Sequence, residues 1–154
     1  MSAIIGHQHR AASAVAGAST DEDLDEAART AAYVASFPEP DFHAAADEFL
    51  EGIEDEICAL EDSDAAHLLG DDFDVSLAMG VLTIALGGGR GTYVLNKQTP
   101  NRQVWWSSPV SGPKRYSYDA DGDAWVNTRD GGRLVDLLKG ELEDALPGAD
   151  LDFP

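Results

Sequence analysis

Apolar side chains follow a helical spacing over one stretch in the first half of the chain. The stripe recurs every three or four positions and consists of Phe42, Ala46, Phe49, Leu50, Ile53, Ile57 and Leu60. This spacing places all of them on one side of an α-helix about five turns long, with Asp41 as the expected N-cap after Pro38 and Pro40. The stripe therefore predicts an amphipathic helix that packs against a core.

The periodicity changes from helical to alternating after Gly70. Phe73, Val75, Leu77 and Met79 alternate with small or polar residues, which is the pattern of a half-buried strand. Five further segments of strand-like composition follow, separated by turn residues, at 81–86, 92–95, 103–106, 115–118 and 124–126. Short strands joined by short turns predict an antiparallel meander, because parallel strands would need long crossover connections.

A second helical stripe follows the strands. It consists of Leu134, Leu137, Leu138, Leu142, Ala145 and Leu146, with Asp130 as the expected N-cap and Pro147-Gly148 as the stop. Two helices that flank a sheet in sequence can lie side by side on its apolar face. We therefore expect an α+β fold, a two-layer sandwich whose antiparallel sheet of about six strands is covered on one face by the N- and C-terminal helices.

This pattern divides the 154 residues of the chain into four parts. Residues 1–20 contain no acid and are rich in Ala, Ser and Gly, which fits a mitochondrial transit segment, although an unstructured N-terminus of no consequence fits equally. Residues 21–39 are expected to form an acidic linker or a short helix. Residues 40–147 form the expected domain, and residues 148–154 form a short C-terminal tail.

The charge of the chain is strongly negative and unevenly distributed. The formal net charge is −19, and residues 21–74 contain 19 acidic residues against one basic residue, Arg29. We expect no binding to nucleic acid or to an anionic membrane surface, because such a chain cannot neutralise phosphates. No run reaches the ~20 apolar residues that a membrane-spanning helix needs. Cys58 is the only cysteine, which excludes an intrachain disulfide.

Several motifs suggest a chemistry that their context does not favour. The glycine-rich segment 87–91 lacks the Gly-Lys-Ser/Thr ending of a phosphate-binding loop and lies between two strands, so a hairpin turn is favoured. Asp119, Asp121 and Asp123 have the spacing of a calcium loop, but Ala124 occupies the position of its required glycine. Cys58 and the four histidines show no spacing typical of a nucleophile or a metal site.

Carboxylates cover the side of the first helix opposite its apolar stripe. The candidate metal ligands on this side are Asp47, Glu48, Glu51, Glu54 and Asp55, and Asp72 and Asp74 extend the set if the first strand edges the sheet beside the helix. No Lys or Arg lies three or four positions from the helical carboxylates, so the usual ion pairing of a solvated face is missing. Hard oxygen ligands suit Ca²⁺, Mg²⁺, Mn²⁺ and iron. The alternative is an acidic face that only keeps the protein soluble.

A second candidate surface lies in the middle of the predicted sheet. The candidate partner-binding residues are Asn96, Lys97, Gln103, Trp105 and Arg115. Trp105 and Trp106 are adjacent in a strand and therefore point to opposite faces, so only one of them can enter the core. An exposed tryptophan beside amides and basic groups is typical of a binding hot spot. The alternative is an aromatic side chain that packs across neighbouring strands.

The residues around this surface resemble the frataxin family. The resemblance rests on 91–105 (GTYVLNKQTPNRQVW), 107–109 (SSP) and 111–116 (SGPKRY), with 72–75 (DFDV), 80–83 (GVLT) and 125–126 (WV) in the same order. It covers residues 40–146. It implies a frataxin-type sandwich, a location in the mitochondrial matrix, weak iron binding by an acidic ridge on the first helix and strand, and a sheet surface that meets the iron–sulfur assembly complex.

The sequence departs from the family pattern at two places. Cys58 and Ala59 occupy helix positions where relatives often carry acids, so the ridge is shortened at its C-terminal end. The tail after Leu146 is short, whereas in relatives a longer tail packs between the helices. We therefore expect modest stability.

The resemblance implies an iron-binding regulator of iron–sulfur cluster assembly. Such a protein would bind the complex of cysteine desulfurase and scaffold protein and promote sulfur transfer and iron supply. Iron, as Fe²⁺ or Fe³⁺, would be held weakly at surface carboxylates, and the monomer could oligomerise with iron. The alternatives are a ferroxidase or iron-storage protein, and a metal buffer without a specific partner. Enzymatic activity stays open, because no buried catalytic constellation is visible.

Overall fold

A computed structural model describes residues 20–154, so the candidate transit segment lies outside the described residues except for Thr20. Three helices and six strands follow one another in this range: α1 (Asp21–Ser36), α2 (Glu39–Cys58), β1 (Asp74–Ala78), β2 (Val81–Ala85), β3 (Thr92–Gln98), β4 (Gln103–Ser108), β5 (Gly112–Asp119), β6 (Ala124–Asn127) and α3 (Leu134–Ala145). Two short 3₁₀ turns connect α2 to β1. None of the described helices is long and apolar enough to cross a bilayer.

The six strands form one antiparallel sheet in the sequential order β1 to β6. The apolar stripes of α2 and α3 pack on the same face of this sheet. The α+β sandwich predicted from periodicity is therefore confirmed. β3 and β5 are longer than predicted because their ladders continue through polar residues, as where Gln98 pairs with Gln103.

The core lies between the sheet and the two covering helices. Its largest fully enclosed side chains come from all these elements: Phe42, Leu50, Ile53, Ile57, Leu82, Ile84, Leu95, Trp106, Tyr116 and Leu134. Trp106, and not Trp105, is the tryptophan of β4 that enters the core, with 2% of its surface exposed. Burying such side chains contributes roughly 1.5–3 kcal/mol each, which makes this layer the main source of stability.

Both predicted helix caps are wrong. α2 begins at Glu39 with Pro38 at the N-cap, so Asp41 lies within the first turn, where its charge interacts favourably with the helix dipole. α3 begins at Leu134 after Arg133. Asp130 instead accepts a hydrogen bond from the backbone N–H of Gly132 at 2.9 Å, so it stabilises the preceding turn.

Residues 21–36, which the sequence left as a linker or a short helix, form the 16-residue helix α1. A capping box between Thr20 and Asp23 starts the helix, yet none of its residues is buried. α1 is attached at its C-terminal end through Tyr33. The backbone N–H of Tyr118 donates to the Tyr33 hydroxyl at 2.9 Å, and this hydroxyl donates to the carbonyl of Arg102 at 2.8 Å.

The Tyr33 hydroxyl completes the β4–β5 ladder at its open end. The last regular pair of that ladder is Gln103 with Ser117, and Arg102 leaves the strand with a φ of 53°. The phenol therefore bridges the two backbone groups that the turn has separated. Arg102 also donates through Nε to the carbonyl of Phe37 at 3.1 Å, which joins the β3–β4 turn to the α1–α2 junction.

The C-terminal tail packs between the helices although it is short. Leu151 is fully buried, and the backbone N–H of Asp152 donates to Glu56 Oε1 at 2.8 Å. Pro154 reaches α2 at Gly52, where a β-carbon would lie 2.9 Å from the proline ring. Gly52 thus permits the close approach of the tail to α2.

Buried hydrogen bonds link α3 to the end of β4. The Ser108 hydroxyl donates to Glu141 Oε2 at 2.5 Å and accepts hydrogen bonds from the backbone N–H groups of Val110 and Ser111. Glu141 is 8% exposed. Burial, followed by the charge and hydrogen bonding of Glu141, raises the pKa of Tyr93 to about 12.

The raised pKa of Tyr93 predicts a loss of stability at alkaline pH. The folded state holds this phenolic proton more tightly than the unfolded state, in which tyrosine has its ordinary pKa of 10.0. The contribution of this proton to the free energy of unfolding is therefore complete below pH 10 and is lost between pH 10 and about 12. A difference of two pKa units corresponds to about 3 kcal/mol at most. Chemical denaturation across this pH window should show a smaller fall in unfolding free energy for Tyr93→Phe than for the wild type. Equal falls would contradict the assignment.

Removing the Tyr33 hydroxyl should loosen the end of the β4–β5 ladder. Tyr33→Phe leaves the N–H of Tyr118 and the carbonyl of Arg102 without their bridge, at a cost of about 1–3 kcal/mol. Hydrogen exchange at the Tyr118 amide should accelerate, and α1 should become easier to cleave in limited proteolysis. Ser36→Ala, which removes a hydroxyl bonded only within α1, is the matched control. An unchanged exchange rate in Tyr33→Phe would show that the bridge is not needed.

Candidate functional site

The outer face of the sheet, opposite the helices, carries a transverse row of three residues. Asn96 pairs with Trp105 across β3 and β4, and Trp105 pairs with Arg115 across β4 and β5. We call Asn96, Trp105 and Arg115 the outer row. Strand pairing alone brings these residues side by side, although Asn96 and Arg115 are 19 positions apart in the sequence.

The indole of Trp105 is held by contacts on two sides. Its Nε1–H donates to Gln103 Oε1 at 2.9 Å, and the Nε2 of Gln103 donates to Ser117 Oγ at 3.4 Å. The Arg115 guanidinium lies over the indole ring, with its central carbon 4.3 Å from the ring centroid. These contacts restrict the side-chain freedom of the indole ring, and a restricted ring would lose little further freedom on binding.

The structure separates Lys97 from the other candidate docking residues. Lys97 follows Asn96 in β3 and therefore points to the opposite face of the sheet. Its ammonium group lies 2.5 Å from Asp47 Oδ1 of α2, and 15% of its side chain is exposed. Lys97, which was predicted to bind a partner, thus neutralises Asp47, which was predicted to bind a metal ion.

Glu54 is also engaged within the protein. Its Oε1 accepts a hydrogen bond from the backbone N–H of Leu77 at 3.0 Å. β1 is an edge strand, and this carboxylate satisfies an N–H that the ladder leaves unpaired. Of the five candidate carboxylates of α2, Glu48, Glu51 and Asp55 make no ion pair or hydrogen bond with other described residues.

The two strand carboxylates do not join those of the helix. Asp72 Oδ1 accepts a hydrogen bond from the backbone N–H of Gly88 at 2.9 Å and so anchors the glycine-rich turn between β2 and β3. Asp74 alternates with the inward-facing Val75 and points to the outer face. Among residues 20–154, no three His, Cys, Asp or Glu side chains are placed together to hold a metal ion.

The donor set therefore suits weak binding of a hard cation. Glu51 and Asp55 are exposed and one helical turn apart, at a spacing where two carboxylates are neighbours. Two carboxylates and water can hold iron loosely, whereas a tight site needs more protein ligands.

Cys58 is exposed at the C-terminal end of α2. Partial burial, followed by the charges of Glu54, Glu61 and Asp55, raises the pKa of its thiol. The reactive form of cysteine is the thiolate, so these neighbours suppress rather than activate a nucleophile.

The model of the frataxin-like domain family matches residues 35–148. The chain belongs to the frataxin-like family. The mitochondrial frataxin of Caenorhabditis elegans is 43% identical over 117 residues, which are 76% of this chain and 83% of that protein. The mitochondrial frataxin of Dictyostelium discoideum is 48% identical over 101 residues, which are 66% of this chain but only 50% of that protein.

Solved frataxin structures share this fold. A trimeric frataxin from Saccharomyces cerevisiae, complexed with ferrous iron, has a TM-score of 0.56 and 38% identity, and the match covers 66% of this chain and 85% of that one. A frataxin from Psychromonas ingrahamii has a TM-score of 0.58 at 22% identity, over 75% of this chain and 97% of that one, which shows the fold alone.

Sequence reasoning missed Ser117 and misplaced Lys97. Ser117 lies two positions from Arg115 in β5, on the same outer face, and ends the polar chain that holds Trp105. The alternation of β3 would have assigned Lys97 to the inner face with Leu95. The ion pair with Asp47 joins residues 50 positions apart, so no helical spacing rule could have found it.

Proposed function

We propose that this frataxin-like protein is an iron-binding regulator of iron–sulfur cluster assembly in mitochondria. It binds the complex of cysteine desulfurase and scaffold protein, promotes sulfur transfer and contributes to iron supply. The observation that carries this proposal is the outer row, whose tryptophan is fixed by Gln103 and Arg115 on an otherwise solvent-facing sheet. Membership of the frataxin-like family supports the iron-related role, and the relatives from Caenorhabditis elegans and Dictyostelium discoideum are mitochondrial frataxins.

The outer row has the composition of an interface hot spot. Trp and Arg contribute most often to hot spots, and an alanine substitution there typically costs at least 2 kcal/mol of binding free energy. Asn96 adds an amide that can exchange hydrogen bonds with a partner backbone. Binding through such a surface acts on the chemistry of another protein.

The acidic residues of α2 have a separate role in this proposal. Most of the net charge of −19 arises from residues 21–74, and it attracts iron and basic partner surfaces from a distance. Glu48, Glu51 and Asp55 then hold iron loosely enough to release it. Asp47, Glu54, Asp72 and Asp74 contribute charge, while the first three of these also have structural contacts.

A ferroxidase or iron-storage function is the second candidate. It is favoured by one observation, the trimeric assembly of the yeast relative with ferrous iron. Iron oxidation needs a site that holds iron while O₂ reacts. Within residues 20–154, a single copy offers pairs of exposed carboxylates to hold iron, so the activity would require several copies assembled around iron. A monomer that associates with other copies when iron is present would fit both the exposed carboxylate pairs and the trimeric yeast relative.

Trp105→Ala should abolish most of the docking. We expect the affinity for the desulfurase–scaffold complex to fall at least about tenfold, because the ring and its stack with Arg115 are lost together. Desulfurase activation should fall in parallel, while the melting temperature changes little because Trp105 lies outside the core. Ser107→Ala, on the same face of β4, is the matched control. Unchanged activation in Trp105→Ala would refute the docking role.

Iron binding should depend on the carboxylates that have no partner in the protein. Glu51→Gln with Asp55→Asn should weaken Fe²⁺ binding, measured by anaerobic titration calorimetry, more than Asp47→Asn with Glu54→Gln. Both double variants remove two negative charges, so a general electrostatic effect would lower their affinities equally. Equal losses would therefore contradict a local site. Catalytic turnover of Fe²⁺ by the monomer in air would favour the ferroxidase.

A further inference from the structure

A cleft of about 160 Å³ opens at one end of the groove between α2 and α3. α2 forms one wall, the β5–β6 turn forms another, and Arg133 and Val135 close the side towards α3. Pro154 borders the cleft where the tail ends its path along the groove. This place lies on the helical side of the molecule, away from the outer row. Its volume is below the roughly 300–1,000 Å³ of drug-sized ligand pockets, so it can take no more than a single side chain.

Aromatic rings form the floor of the cleft. Phe49, Tyr118 and Trp125 all line it, and the ring centroids of Tyr118 and Trp125 lie 5.3 Å apart. Phe49 packs against the same indole at 5.9 Å. Phe49 and Trp125 are buried in the core, and Tyr118 packs against it. Fixed aromatic surfaces attract cations, and the attraction grows when the cation loses part of its water.

Carboxylates stand at the rim above these rings. The Tyr118 hydroxyl donates a hydrogen bond to Asp123 Oδ1 at 2.5 Å. The other carboxylate oxygen of Asp123 has no hydrogen-bond partner within residues 20–154. Glu48 also lines the cleft and makes no ion pair with any described residue. The hydrogen bond to Asp123, partial burial and nearby charges including that of Glu48 raise the pKa of Tyr118 to about 12. The phenol therefore stays neutral and keeps Asp123 in place.

The backbone at Asp123 has a φ of 45° and lies in the left-handed region. Asp is among the few residues other than Gly that adopt this conformation at low cost. Asp123 therefore places its carboxylate in the lining of the cleft without the backbone strain that most other residues would have at this φ. The only basic side chain of the lining is the exposed Arg133, which leaves the cleft with a net negative charge.

We propose that this cleft binds one basic side chain of a protein partner, with the alkyl part of a lysine against the aromatic floor and its ammonium group between Glu48 and Asp123. Charge complementarity selects this occupant, because an apolar or acidic side chain would leave two carboxylates uncompensated. The size of the cleft selects a single anchoring residue. The site goes beyond the docking of the outer row, since it lies on the other layer of the sandwich and uses none of the same residues.

The test uses the isolated protein and small probes. The probes are the n-butylammonium ion, neutral n-butanol, the blocked pentapeptide Ala-Ala-Lys-Ala-Ala and the same peptide with norleucine in place of lysine. Binding is followed by NMR shifts of the Trp125 indole N–H and of the Ala45 and Ala124 methyl groups. We expect saturable shifts with the lysine peptide, weaker binding of n-butylammonium, and no saturable binding of n-butanol or the norleucine peptide.

A charge-matched pair of variants tests the role of the rim. Asp123→Asn keeps an acceptor for Tyr118 and tolerates the left-handed backbone, whereas Asp121→Asn removes the same charge from the same turn outside the cleft. Asp123→Asn should weaken lysine-peptide binding roughly three- to fivefold, and Asp121→Asn should leave it almost unchanged.

Three outcomes would overturn the proposal. Equal weakening in the two variants would reduce it to general electrostatic attraction. Binding of n-butanol or the norleucine peptide at the same affinity would make the cleft an apolar pocket. Binding of n-butylammonium as tightly as the lysine peptide would show a site for free amines rather than for a partner side chain. None of these outcomes bears on the outer row, whose own test is the activation of the desulfurase.

Discussion

The structure depends on the strict alternation of side chains in one antiparallel sheet. Alternation sends every second residue of β2 to β5 into a core that two helices cover, and it sends the others to solvent. Leu95 and Asn96 are neighbours in sequence, yet one is fully buried and the other belongs to the outer row. A slip of one residue in register would exchange the two faces, so burial of the apolar set also fixes which residues form the outer row. The core and the outer face are therefore specified by the same constraint.

The charges of the molecule are also separated. Residues 21–74 supply the helices α1 and α2, and they carry a net charge of −18, whereas the remaining strands and α3 are close to neutral. Two of the contacts that connect these regions engage candidate metal ligands of α2: Lys97 of β3 binds Asp47, and the backbone of β1 donates to Glu54. Both contacts lie between α2 and the sheet. They hold the acidic helix against its layer and remove two carboxylates from the set available to a cation.

The fold could be predicted from the sequence because its signals are local. The period of 3.6 in 42–60, the period of two in 73–79 and the turn residues between short strands each report on neighbouring positions. The outer row was also accessible, since alternation places Trp105 and Trp106 on opposite faces. Helix caps failed because Asp130 satisfies a turn as readily as a helix end. Tertiary contacts were beyond reach: the attachment of α1 through Tyr33 joins residues 69 and 85 positions apart.

The candidate metal ligands illustrate why the content of a site is harder to predict than its location. Sequence spacing identified seven carboxylates of suitable chemistry, but it could not tell which of them the backbone would use. An unpaired N–H of an edge strand costs about as much free energy as a lost hydrogen bond. A nearby carboxylate can accept a hydrogen bond from that N–H, as Glu54 does from Leu77. What remains on α2 is a set of exposed, neighbouring carboxylates that share no third ligand from the strand. Such a set can attract and release a cation quickly, and it cannot enclose one. A surface of this kind suits delivery or regulation, in which the chemistry belongs to a partner, better than it suits catalysis within one chain.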